Sequence, residues 1–154
     1  MQSISLFVDN FEFNASVYNL FKAITYQIYG YNTIGVLGWL LKLCTLLLIL
    51  YISWKGKKPE AEEINIRSFC KSALIIWAIY LFLSTIVHPW YILPLLFFGM
   101  FTHYKFPVVW TAVIFLSYAT YQTSSYTENY YLLFVQYILV LSLFVIEIFN
   151  LKIP

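Results

Sequence analysis

Apolar residues along this chain gather into five runs separated by short polar stretches. The first run covers residues 33–54. Its 22 residues would rise about 33 Å as an α-helix, enough for a hydrocarbon core of about 30 Å. Trp39 and Trp54 lie about 22 Å apart along that axis, a spacing that suits interfacial anchors. Further runs follow at 69–87, 89–103, 107–121 and 131–149. Pro94 is a candidate kink in the third run, and Pro107 suits the first turn of the fourth. The hydrophilic stretch 55–67, KGKKPEAEEINIR, reads as a solvated connector, and residues 122–129 form a second polar loop.

Residues 1–31 follow a different pattern. The first 13 have no basic start and are interrupted by Asp9 and Glu12, so they are not a secretory signal. Within 14–29, Val17, Phe21, Ile24 and Ile28 recur at spacings of four, three and four, which places them on one helical face. Asn14 is a candidate N-cap and Gly30 a candidate C-terminal stop. Such a helix lies on a membrane surface or against other helices. The pattern therefore predicts an all-α polytopic membrane bundle. A non-cytoplasmic segment, 1–31, carries an amphipathic interfacial helix, and a domain over 32–154 holds about five transmembrane helices.

Composition agrees with lipid as the main solvent. The 154 residues are 62% hydrophobic, 21% aromatic and 10% charged, against roughly 25% charged in soluble domains. A net charge of +2, with no basic cluster interleaved with aromatics, excludes a nucleic-acid groove. Cys44 and Cys70 lie in or beside apolar runs and read as buried thiols. CxxC, HExxH and Gly-rich phosphate motifs are absent, and the sequence calls for no metal or organic cofactor.

Charge also orients the bundle. With five alternating spans, Lys55, Lys57, Lys58, Arg67, Lys71, Lys105 and Lys152 fall on one side. Lys22, Asp9, Glu12 and Glu128 fall on the other. The first side is then cytoplasmic by the positive-inside rule. Residues 1–31 would have to cross the membrane with no preceding span. The expectation is a C-terminal portion of a larger polytopic protein, or a truncated reading frame.

The densest chemistry lies in His88-Pro-Trp-Tyr91, on the expected outer face. Pro89 discourages helix at His88, which leaves carbonyls and an imidazole near the surface. His88 could donate to a phosphate or sugar hydroxyl, and Trp90 and Tyr91 offer flat faces to a sugar ring or polyprenyl chain. A plain aromatic belt with a helix-breaking proline fits the same residues. Lys42 lies inside the first span, where it either snorkels or faces a lipid phosphate. Glu147 reads as an interfacial residue. Tyr26, Tyr29, Tyr31, Tyr118, Tyr121, Tyr126, Tyr130 and Tyr131 enrich the outer face, as a belt or a carbohydrate surface would. Asp9 and Glu12 are weak candidates for a general base.

The run Thr85-Ile-Val-His88-Pro89-Trp90-Tyr91-Ile-Leu-Pro94, with Lys105-Phe-Pro107-Val-Val-Trp110 and Ser117-Tyr118, resembles the C-terminal part of bacterial GT-C-type membrane mannosyltransferases. The segments Phe11-Glu-Phe-Asn14-Ala-Ser-Val-Tyr18 and Gly30-Tyr-Asn32 resemble the outer stretch that precedes those helices. The resemblance implies a bacterial inner-membrane enzyme that moves a sugar from a polyprenyl-phosphate donor to an acceptor on the non-cytoplasmic face. His88, Trp90, Tyr91 and Lys42 would bind the donor. The catalytic acid of such enzymes sits in an early outer loop with no equivalent here. The implied partners are the bilayer, the polyprenyl-phosphate sugar, and missing N-terminal helices or a partner subunit. The alternative is a non-catalytic membrane scaffold or assembly subunit.

Overall fold

The computed structural model describes residues 11–55, 66–122 and 127–149. Asp9, Lys57, Lys58, Tyr126 and Lys152 lie outside them. The described residues are overwhelmingly helical and form two compact units. The first holds 11–55 and 76–87, the second 66–75, 88–122 and 127–149.

In the first unit, α1 (Val17–Tyr29) is followed by α2 (Ile34–Lys55) and the C-terminal part of α3 (Ile66–Leu83). Gly30 ends α1 as expected, with φ of 74° and its N–H donating to the Tyr26 carbonyl. The N-terminal end departs from expectation. Ser16, not Asn14, is the cap residue, and Asn14 sits two residues earlier in a left-handed conformation (φ 49°). Asn32 Oδ1 starts α2 by accepting from the Ile34 N–H at 3.1 Å.

The packing of α1 inverts that of a soluble helix. Leu20, Phe21, Ile24 and Ile28 point outward, while Tyr18 and Asn19 are buried. Tyr18 joins Ala15, Ile34 and Leu41 in a small core, flanked by Val17, Leu37 and Leu83. The inward face of α2 is equally narrow. Ile34, Gly38, Leu41 and Thr45 are buried at spacings of four, three and four, and the leucines at 43, 46, 47 and 50 are exposed. An outward apolar surface of that extent is stable in lipid rather than water. Cys44 lies on this outward face, correcting the expectation that both cysteines are buried; Cys70 is buried.

In the second unit, a 3₁₀ turn (Pro89–Ile92) leads into α4 (Leu93–Gly99). After a turn come α5 (Phe106–Val113), a 3₁₀ segment (Ile114–Gln122) and α6 (Tyr130–Ile148). Pro94 lies in the first turn of α4, where its missing N–H costs nothing. Asn129 caps α6, its side chain accepting from the Tyr131 and Leu132 N–H groups at 3.1 and 3.2 Å. The unit's core holds Ile92, Leu95, Phe106, Trp110, Ile114, Tyr137 and Val140. Trp110 meets Tyr137 edge-on, and Phe106 meets Phe144 in the same way.

Among the described residues, α2, α3 and α6 are long and apolar enough to cross a membrane. The run Pro89–Gly99 is shorter, rising roughly 18 Å.

Candidate functional site

Two stretches far apart in sequence meet in the first unit. After α3 ends at Leu83, residues 84–88 leave the helix, and His88 is extended because it precedes a proline. Carbonyls at the end of α3 and along this stretch then need donors. The segment 13–16 supplies them. Phe13 pairs with Ile86 as an isolated parallel bridge. The Phe13 N–H donates to the Thr85 carbonyl at 3.1 Å, and the Val87 N–H donates back to the Phe13 carbonyl at 2.8 Å. Asn14 Nδ2 donates to the Val87 carbonyl at 3.3 Å, and Ser16 Oγ to the Phe82 carbonyl at 2.7 Å. The left-handed turn at Asn14 aims its side chain back at Val87. Tyr18 OH completes the assembly by donating to Asn32 Oδ1 at 3.2 Å.

This fastening fixes the chain just before His88. In the second unit, His88 is extended (φ −77°, ψ 152°), and Pro89 opens the 3₁₀ turn. The turn folds three rings together. His88 stacks on Trp90 with centroids 4.3 Å apart and planes 13° apart. Tyr91 meets His88 edge-on at 5.5 Å and Trp90 edge-on at 6.0 Å. The Tyr91 N–H donates to the His88 carbonyl at 2.9 Å. Partial burial holds the His88 imidazole below its ordinary pKa of 6.5, because desolvation disfavours the cation. His88 is therefore neutral at pH 7, a hydrogen-bonding group rather than a charge. One face of Trp90 is covered by His88, yet Trp90 is 54% exposed, which leaves aromatic surface to an incoming molecule.

Lys42 belongs to the first unit. It is exposed on α2, its ammonium 4.9 Å above the Trp39 ring, and it lines a cleft of about 160 Å³. Gly38, Thr45, Tyr80, Ser84 and Thr85 are among the other walls. Gly38 admits the Thr85 methyl at van der Waals distance, whereas nothing approaches Gly35. The hydroxyls at 45 and 84 are turned to backbone: Thr45 donates to the Leu41 carbonyl, and Ser84 donates to Ile86.

Of the two candidate bases, Asp9 lies outside the described residues. Glu12 pairs with Lys22, both partly buried. Glu147 has a role that its sequence position does not announce. Its carboxylate accepts from the Lys105 N–H at 2.8 and 2.9 Å and from the Phe106 N–H at 3.0 Å. It thus caps α5 from the last turn of α6. Among the described residues, no group of three His, Cys, Asp or Glu side chains could share a metal ion.

Searched against family models, curated proteins and solved structures, the chain matches none.

Proposed function

We propose that this chain is the donor-holding portion of an integral-membrane glycosyltransferase. It would work as a mannosyltransferase of the GT-C type, using a polyprenyl-phosphate sugar. What supports the reading is the interlocking of the segments that carry the resemblance. Phe13, Asn14, Ser16 and Tyr18 bond to Phe82, Thr85, Val87 and Asn32, so motifs some 70 residues apart form one hydrogen-bonded piece. That piece leads directly into His88. A belt of interfacial aromatics does not call for such fastening.

In this reading His88 hydrogen-bonds the donor phosphate, and Trp90 and Tyr91 pack against the sugar or the lipid. Transfer forms a bond between the acceptor oxygen and the sugar's anomeric carbon. The bond to phosphate breaks, its electron pair leaving with the phosphate, and the acceptor proton passes to a carboxylate supplied by another part of the enzyme. A neutral His88 suits a role in donating a hydrogen bond to phosphate. We place the turn on the non-cytoplasmic face of a bacterial inner membrane, with α1 at the interface. The bundle has five spans in this reading. The 17 residues Phe106–Gln122 rise roughly 30 Å because 3₁₀ geometry gains about 2.0 Å per residue.

The pairing of Glu12 with Lys22 favours a second reading, a non-catalytic scaffold or assembly subunit, since it occupies the one described acidic residue ahead of α1. Transfer of radiolabelled mannose from polyprenyl-phosphate mannose, assayed in native membranes, separates the two. His88→Ala should cut transfer at least tenfold at unchanged protein level. Unchanged transfer would remove the assigned role.

A further inference from the structure

In the first unit, Lys42 is a cation on the outward side of a spanning helix. It is exposed on α2, its ammonium meets the Trp39 ring, and among the described residues it pairs with no carboxylate.

Its depth narrows the choice of partner. Lys42 lies eight residues into α2, about 12 Å from the end at Ile34. The 22 residues of α2 rise about 33 Å across a hydrocarbon core of about 30 Å, which puts the Lys42 Cα about 10 Å below the head groups. A lysine stem reaches about 6 Å, and this one already leans toward that end, over the ring of Trp39. The ammonium therefore stays about 4 Å inside the hydrocarbon, while phosphates lie beyond its boundary. The other end of α2, which leads toward Glu60, Glu62 and Glu63, is about 20 Å further along the axis. A cation at such a depth is costly unless a counter-charge reaches the same level.

The cleft beside Lys42 has a matching size. Its volume of about 160 Å³ is below the roughly 300 Å³ at which small-ligand sites begin, and suits a carboxylate side chain. Tyr80 on the α3 wall adds a hydroxyl donor, whereas Thr45 and Ser84 already donate to backbone carbonyls. The surrounding helix face is laid out for another helix. Gly35, Trp39, Lys42 and Leu46 recur at spacings of four, three and four, and all are exposed. A Cβ on Gly35 would meet nothing within 4 Å, so a neighbouring backbone can come close there.

We propose that this face of α2 docks a partner's transmembrane helix, whose Asp or Glu enters the cleft and pairs with Lys42. The pairing is independent of what His88 binds.

The test places the full chain in phosphatidylcholine vesicles with a leucine-rich transmembrane peptide carrying one Glu at the depth of Lys42, and reads association by energy transfer. That peptide should associate about fivefold tighter than the same peptide with Gln. Moving the Glu to the far end of the peptide should remove the preference, as should Lys42→Gln. Lys42→Arg and Lys55→Gln should keep it, and Asp9→Asn should leave it unchanged. Equal association of the Glu and Gln peptides would overturn the proposal. So would a preference that survives Lys42→Gln or the displaced Glu. Loss of the preference on adding phosphatidylglycerol would put a lipid head group in the cleft instead, and a gain in Asp9→Asn would mean that the chain fills the cleft itself; either result overturns the proposal.

Discussion

His88 is set by two neighbours, a proline that forbids helix and a tryptophan that stacks on the imidazole. Its fold-lowered pKa has a definite sign in stability. The folded state favours the neutral ring, so His88's contribution is complete above its ordinary value of 6.5. It is lost as pH falls through the lower folded value. NMR titration of the labelled imidazole should give a midpoint below 6.5; one above it would contradict the burial argument. The His88-Pro-Trp-Tyr91 cluster was legible because its members are contiguous. The bonds from Phe13, Asn14 and Ser16 were not, since long-range backbone pairing leaves no periodic trace. Glu147 was hidden for the same reason. It caps a helix some 40 residues earlier in the chain. Glu147→Ala leaves two backbone N–H groups without their acceptor and should cost about 1–3 kcal/mol in thermal unfolding, with Glu147→Gln losing less.

Among the elements, two helix ends were readable from local chemistry, Gly30 after α1 and Pro107 in the first turn of α5, whereas the start of α1 was not, its cap being Ser16 rather than Asn14. Helix in the expected run 89–103 stops earlier, at Gly99, where the backbone lies close to Pro107. A Cβ on Gly99 would meet the Pro107 ring at 3.1 Å. That ring is buried and rigid, so Gly99→Ala should lose about 1–2 kcal/mol, outweighing the better helix propensity of alanine. A chemical-denaturation series would show it, and a gain in stability would mean the ring can shift. The 3₁₀ segment Ile114–Gln122 was missed. Its buried Ile114, Ser117 and Thr120 recur every three residues, and the outward Phe115, Tyr118 and Tyr121 line up about 6 Å apart. Over nine residues a period of three is hard to tell from one of 3.6.

For the whole molecule, the outward leucines of α2 and the apolar face of α1 mark lipid as the solvent, as composition and hydrophobic runs anticipated. The division into two units was not anticipated, because α3 runs through both without a change of pattern. The central claim, that the turn after α3 holds a polyprenyl-phosphate sugar, is tested most directly by photolabelling in native membranes. The reagent is a polyprenyl-phosphate sugar carrying a diazirine, with peptides mapped afterwards. Labelling should fall on the peptide containing His88, Trp90 and Tyr91. Polyprenyl-phosphate mannose should suppress it, and polyprenol without phosphate should not. Labelling spread along the outward faces of the spans, or unaffected by the phosphate-bearing competitor, would contradict the account.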